Sequence, residues 1–225
     1  MRKRLQGLLL TGIPFLFVSG QAFMSDSLAH AKDSTLRALF HADSVKVAKE
    51  FDEKAKWDRL GGRLEYPLLK GGKYSGVIPV INLTEIPDPN LDYKIVFELT
   101  QNNPDSTIKE INAGLDEIAR VINLHFASGI PAKRILPVIV VHAGALNAIK
   151  NNDAYRKKYK VDNPNIHLIN DMEKMGAKFI ACAQAMEFFA VKREELLPEI
   201  KISLTAQTVI TQYQLKGYVL HTLWQ

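Results

Sequence analysis

From Asp92 onward, short apolar runs alternate with segments of helical periodicity, and this alternation constrains the fold more than any other feature of the chain. It is typical of a parallel sheet covered by helices on both faces. The sequence therefore predicts an α/β fold with a doubly wound, mostly parallel sheet. The predicted strands are 94–99, 135–142, the run that ends at Cys182, 200–202 and 218–220.

Helix boundaries follow from capping residues. Asn103 and Pro104 together predict a helix start, because Asn caps helices and Pro suits their first position; the apolar residues behind them continue towards Gly129. Asn163 and Pro164 repeat this Asn–Pro pattern and predict a second helix, which Gly176 ends. The other predicted helices begin at Ala145, behind Cys182 and near Ala206.

Residues 32–90 are predicted to form an N-terminal helical extension and linker in front of an α/β domain at 91–225. Four apolar residues fall at spacings of four, seven and four, which gives one stripe on a charged helix that Gly61 and Gly62 end. The stripe consists of Leu36, Phe40, Val47 and Phe51. Residues 77–81 predict an edge strand, where Pro79 is tolerated.

Residues 1–31 are predicted to be a signal peptide. A basic start is followed by an apolar run at 8–18 and by Ala29-His30-Ala31, which fits a cleavage site; cleavage after Ala22 would suit the apolar length better. The alternative is an uncleaved N-terminal anchor, although 7–24 is short for a membrane span. We therefore expect an exported protein, periplasmic or secreted, with no stable membrane span after cleavage.

Charge and motif content disfavour several functional classes. Cleavage after Ala31 would lower the net charge from +5 to +3, because three basic residues and Asp26 are lost. That charge is too small to argue for a nucleic-acid partner. No glycine-rich loop follows the first strand, and scattered histidines with one cysteine do not make a zinc site. We expect no cofactor, no metal and no nucleic acid.

Two residues are candidates for catalysis. Cys182, the single cysteine, falls where a strand passes into a helix, at the sheet edge where ligands collect and where helix dipoles favour a thiolate. The alternative interpretation is a small apolar core residue. His142 ends the second predicted strand, so on a neighbouring strand it could stabilise a thiolate or move a proton. Its alternative is a histidine hydrogen-bonded to backbone.

Three stretches of the second section resemble one known family. They are 140–145 (VVHAGA), 179–186 (FIACAQAM) and 212–218 (QYQLKGY). In this order and spacing they are similar to the DsrE/DsrF-like family, the sulfur-relay fold that includes TusD and YchN. The resemblance runs from about Asp92 to the C-terminus. Ala143 and Ala190 stand where members usually have glycine.

The resemblance implies a flavodoxin-like fold, homo-oligomers that are often trimers or hexamers, and a cysteine persulfide that passes between proteins. It puts Cys182 in the position of the sulfur carrier. We therefore expect an exported sulfur carrier or sulfurtransferase, with a sulfur donor or acceptor protein as partner. Two alternatives stay open: a non-catalytic, homo-oligomeric binding or assembly module with Cys182 in the core, and a thiol-redox protein.

Overall fold

The computed structural model of the protein describes residues 19–223. The chain divides into a first unit that ends at Arg59 and a second unit that runs from Leu60 onward. The described residues of the first unit, 19–59, all lie in the long helix α1 (Ser19–Gly61). Residues 1–18 of the predicted signal peptide lie outside the described residues.

Helix α1 begins earlier than the predicted helix and ends, as predicted, at the glycine pair. The four residues of the predicted stripe lie on it with 43–72% of their surface exposed. None of the helices in the described part of the chain combines the length and the apolarity needed to cross a bilayer.

The second unit contains a five-stranded sheet in the order β4-β3-β2-β1-β5. Every neighbouring pair is parallel, which confirms the predicted α/β class. The strands are β1 (Tyr93–Leu99), β2 (Ile135–Val141), β3 (Lys178–Cys182), β4 (Lys201–Ser203) and β5 (Val219–His221).

Helices cover both faces of this sheet, as a doubly wound fold requires. On the first face, Phe97, Ile139 and Phe179 belong to a large core that includes side chains of α2 and α4. On the second face, Val96, Val140 and Ile180 pack in a smaller cluster with α6. The helices are α2 (Ala113–Ala127), α3 (Asn152–Tyr159), α4 (Ile166–Lys174), α5 (Ala183–Phe188) and α6 (Ala206–Leu215).

The predicted helix start at Asn103 is wrong. Helix α2 begins at Ala113, and the Asn112 side chain caps it by accepting from the backbone N–H groups of Gly114 and Leu115. Asn103 instead organises the preceding loop: its amide nitrogen donates to the carbonyl of Thr107 at 2.9 Å. An asparagine can cap either a helix or a loop, and the chain offers two within ten residues.

The predicted strand at 77–81 is also wrong. Only Val77 makes a bridge, antiparallel to Glu65, and Val80 and Ile81 are exposed. Pro79 has no N–H to donate, and among residues 19–223 no strand pairs with the segment. The helix expected from Ala145 is a tighter 3-10 helix at Ala143–Ile149.

Residues 64–77, here called the strap, are fixed to helix α2 by one buried asparagine. The Asn123 side-chain oxygen accepts from the backbone N–H groups of Leu68 and Leu69, at 3.2 and 2.8 Å. Its amide nitrogen donates to the carbonyls of Leu69 and Ser75, at 2.7 and 2.8 Å. Because Leu69 also enters the first core, the strap is part of the second unit.

A second side chain of α2, Asp116, holds the other end of the strap. It accepts from the backbone N–H of Tyr74 at 2.9 Å. A Cβ on Gly71 or Gly72 would come within 2.8 Å of its carboxylate, so this close approach requires glycine at both positions. Burial raises the pKa of Asp116, and the hydrogen bonds from the strap oppose that rise.

Candidate functional site

The two predicted site residues lie at the carboxyl edge of the sheet on adjacent strands. Strand β3 ends at Cys182, and His142 directly follows β2. The two strands are neighbours, and the last paired positions are Val141 and Ala181. His142 and Cys182 therefore occupy equivalent places, one residue beyond that pair. Ligand sites of open α/β sheets lie at this edge.

Both residues belong to the second face of the sheet. Side chains alternate between faces along a strand, so His142 shares a face with Val140, and Cys182 with Ile180. Val140, Ile180 and Cys182 all pack in the cluster beneath α6, together with Ala206. Cys182 is only 5% exposed.

His142 is paired with a carboxylate that the sequence analysis missed. Its Nε2 lies 2.9 Å from Oε1 of Glu98 in strand β1. The Glu98 and His142 side chains keep 33% and 21% of their surface exposed, so the pair is half-buried at the edge of the sheet. The sequence analysis offered, as the alternative, a histidine hydrogen-bonded to backbone; the ring is instead hydrogen-bonded to a side chain. A signal was present: Glu98 is a charged residue inside an apolar run.

The turn behind His142 holds an alanine in the left-handed region. Ala143 has φ +53°. The His142 N–H donates to the carbonyl of Leu99 and the Ala145 N–H to that of Thr100, both at 3.0 Å. These bonds tie the end of β2 to the end of β1 and so fix the backbone from which the His142 side chain projects.

A second left-handed alanine ends the helix behind Cys182. Ala190, with φ +50°, follows α5. Its N–H donates to Glu187, and the Val191 N–H donates to Met186 at 2.8 Å. This is the Schellman arrangement, in which glycine usually occupies the position that Ala190 holds. Ala143 and Ala190 are thus the two positions at which the resemblance led us to expect glycine.

A groove of about 540 Å³ lies elsewhere, between α3 and the turn at 193–195. Lys150, 8% exposed, donates to Glu195 there at 2.8 Å. This interaction with Lys150 is the main reason why the pKa of Glu195 is lowered. Neither Cys182 nor His142 lines the groove.

The chemistry available at the edge is that of a thiol and a carboxylate–histidine pair, carried at the ends of adjacent strands. A histidine held by a carboxylate is suited to accept and return a proton. Within residues 19–223, no group of three or more His, Cys, Asp or Glu side chains is placed to hold a metal ion.

Comparisons with known proteins give a solved structure and a family. A solved protein of unknown function, MTH1491 from Methanobacterium thermoautotrophicum, is similar at 17% identity over 59% of this chain and 100% of that chain, with a TM-score of 0.45. No curated protein matches. The model of the DsrE/DsrF-like family matches residues 94–222, a stretch that includes Glu98, His142 and Cys182 and spans more than half of the chain. The chain therefore belongs to the DsrE/DsrF-like family.

Proposed function

We propose that this protein is a sulfur-relay protein in which Cys182 carries sulfane sulfur as a persulfide. The observation that carries the proposal is the placement of Cys182 and His142 at equivalent ends of adjacent strands, on one face of the sheet. Family membership supports a sulfur-relay-like role.

The proposed step is a thiol exchange. His142 takes the proton of Cys182, and the thiolate attacks the outer sulfur of a donor persulfide, R–S–SH. The donor's S–S bond breaks as a new S–S bond forms on Cys182. The products are Cys182–S–SH and R–S⁻, which receives the proton back from His142. Sulfane sulfur changes carrier, and no external oxidant or reductant is consumed.

A second function, a non-catalytic binding or assembly module, is favoured by one observation. Cys182 is 5% exposed and packs against Val140 and Ala206 as an apolar core residue does. In this function the thiol fills the space beneath α6 and carries no sulfur.

Mass spectrometry of the folded protein distinguishes the two functions. After treatment with polysulfide, the sulfur-relay function predicts an adduct of about 32 Da, one sulfur atom, on the Cys182 peptide. Dithiothreitol should remove it. Cys182→Ser is the matched control, since it keeps size and shape but provides no thiol. A thiol that reacts only after denaturation would support the binding module and contradict the relay.

We further propose an exported homo-oligomer, a trimer or hexamer, in which the α1 stripe is buried between copies. Support comes from the exposure of Phe40 and Phe51, at 72% and 69%, because such apolar surface favours association. Light scattering of the wild type should give a multiple of the chain mass, and Phe40→Glu with Phe51→Glu should lower it. A monomer at micromolar concentration would refute the assembly. Cell fractionation tests export.

A further inference from the structure

We infer that Glu98 is a positioning residue, whose carboxylate holds the His142 ring in the one tautomer that leaves Nδ1 free to take the Cys182 proton. This inference rests on the proposed function of Cys182, because it specifies how the thiolate of that function arises.

The hydrogen bond between the two side chains determines the tautomer. An ionised carboxylate can only accept, so the Nε2 that lies 2.9 Å from Glu98 Oε1 carries the hydrogen. A neutral imidazole has one donor and one acceptor, which makes Nδ1 the acceptor. Within the described residues 19–223, no protein hydrogen bond occupies His142 Nδ1. That nitrogen is available for a proton from the neighbouring strand end.

Placing the Glu98 carboxylate at this position of the sheet costs free energy, which indicates that the residue has a role. Its neighbour on the same face of β1, Val96, is fully buried, and an apolar side chain at 98 would extend that packing. A carboxylate on such a surface loses hydration and needs a compensating partner. Within the described part of the chain, the partner recorded for the Glu98 carboxylate is His142. Glu98 and His142 are therefore placed to form one hydrogen bond, in which the ring donates and the carboxylate accepts.

The order of the strands in the sheet explains how Glu98 influences Cys182 without contacting it. The strands run β3, β2, β1, so His142 follows the strand that lies between those of Cys182 and Glu98. Glu98 binds the ring from the β1 side, and Cys182 ends the strand on the opposite side of β2. Orienting partners of this kind keep a histidine in the productive geometry without contacting the reacting atoms.

The test combines a spectroscopic and a chemical readout on the full chain. Nitrogen-15 NMR of the histidine rings reports the tautomer of His142, and iodoacetamide measures how readily native Cys182 gives a thiolate. Wild type should show the Nε2–H tautomer. Glu98→Leu should lose the hydrogen-bonded Nε2–H signal and slow alkylation about tenfold or more, the effect expected when a group that orients a histidine is removed.

Glu98→Gln is the conservative variant. Its amide oxygen can still accept from Nε2, so it should restore both the hydrogen-bonded Nε2–H signal and most of the alkylation rate. Circular dichroism and thermal melting of each variant identify any loss of folding. If Glu98→Leu fails to fold, Glu98→Asp replaces it, since the shorter carboxylate withdraws from Nε2 and the same losses are expected.

The outcomes separate this inference from the proposed function. An unchanged alkylation rate in a folded Glu98→Leu protein overturns the inference, and so does a native wild-type Cys182 that iodoacetamide does not modify. Persulfide formation at equal rates in wild type and Glu98→Leu also overturns it, while the sulfur-relay function stands. Alkylation that depends on Glu98 without any persulfide supports the inference and refutes the relay.

Discussion

Replacing Ala190 with glycine should stabilise the protein. Ala190 occupies the C′ position of helix α5 with φ +50°, a conformation that places the Cβ of an L-residue too close to the following carbonyl oxygen. The side chain is exposed, so its removal leaves no cavity in the core. The substitution removes a local strain and costs no packing.

The magnitude follows from two opposing terms. Relief of the left-handed conformation contributes about 1–2 kcal/mol. The extra freedom of glycine in the unfolded chain costs about 0.4–1 kcal/mol. The midpoints of these two ranges leave a net gain in the free energy of unfolding of about 0.8 kcal/mol, which in a protein of this size raises Tm by roughly 2–3 °C.

Thermal and urea unfolding of wild type and Ala190→Gly measure this gain. The matched control is Ala113→Gly at the exposed first position of α2, where φ is not positive and glycine brings only its entropic cost. The control should lose about 0.4–1 kcal/mol. A Tm for Ala190→Gly that falls together with the control would refute the reasoning, because it would mean that position 190 stores no strain.

Three further predictions concern the second unit. Ala143→Gly should stabilise by a similar amount, since Ala143 has φ +53°, and differential scanning calorimetry checks it. Asn123→Ala should lower the free energy of unfolding by about 2–4 kcal/mol in urea titration, because it leaves buried backbone groups of Leu69 without partners, and Asn123→Asp should lose at least as much, because its carboxylate cannot donate to the Leu69 and Ser75 carbonyls. Burial raises the pKa of Asp116 above 3.8, so its stabilising contribution is fully present below that pH and is lost as pH rises through the higher, folded-state pKa. Between about pH 4 and about pH 7 the stability of wild type should fall relative to that of Asp116→Asn, and parallel curves would contradict the assignment.

The sheet was predictable from sequence because its strands are buried on both faces and therefore appear as continuous apolar runs. The residues at which helices and strands begin and end were less predictable. Asn103 and Asn112 are equally good caps by residue type, and only the loop bonds of Asn103 decide that α2 starts at the second. The strap was missed as a packed element because its attachment uses backbone groups, which leave no residue pattern.

The candidate site was half predictable for a related reason. Cys182 and His142 each end a strand, and strand ends can be located from apolar runs. The order of strands cannot be read from those runs, so the contact between His142 and a side chain of β1 stayed hidden. In the sequence, Glu98 stands out only as a charged residue in an apolar strand. Its role as the partner of His142 follows from the 2.9 Å contact between the two side chains.

The attachment of the strap has a consequence for cutting the chain. Residues 79–92 are exposed and contain no helix or strand, whereas the strap before them is bound to α2 through Asn123 and Asp116. A protease that cleaves within 79–92 would divide the covalent chain without separating the strap from the sheet domain. The two pieces should co-purify, and a separately made N-terminal piece should reassemble with 93–225. Because the strap is bound through its backbone groups, this reassembly should tolerate changes in its exposed side chains.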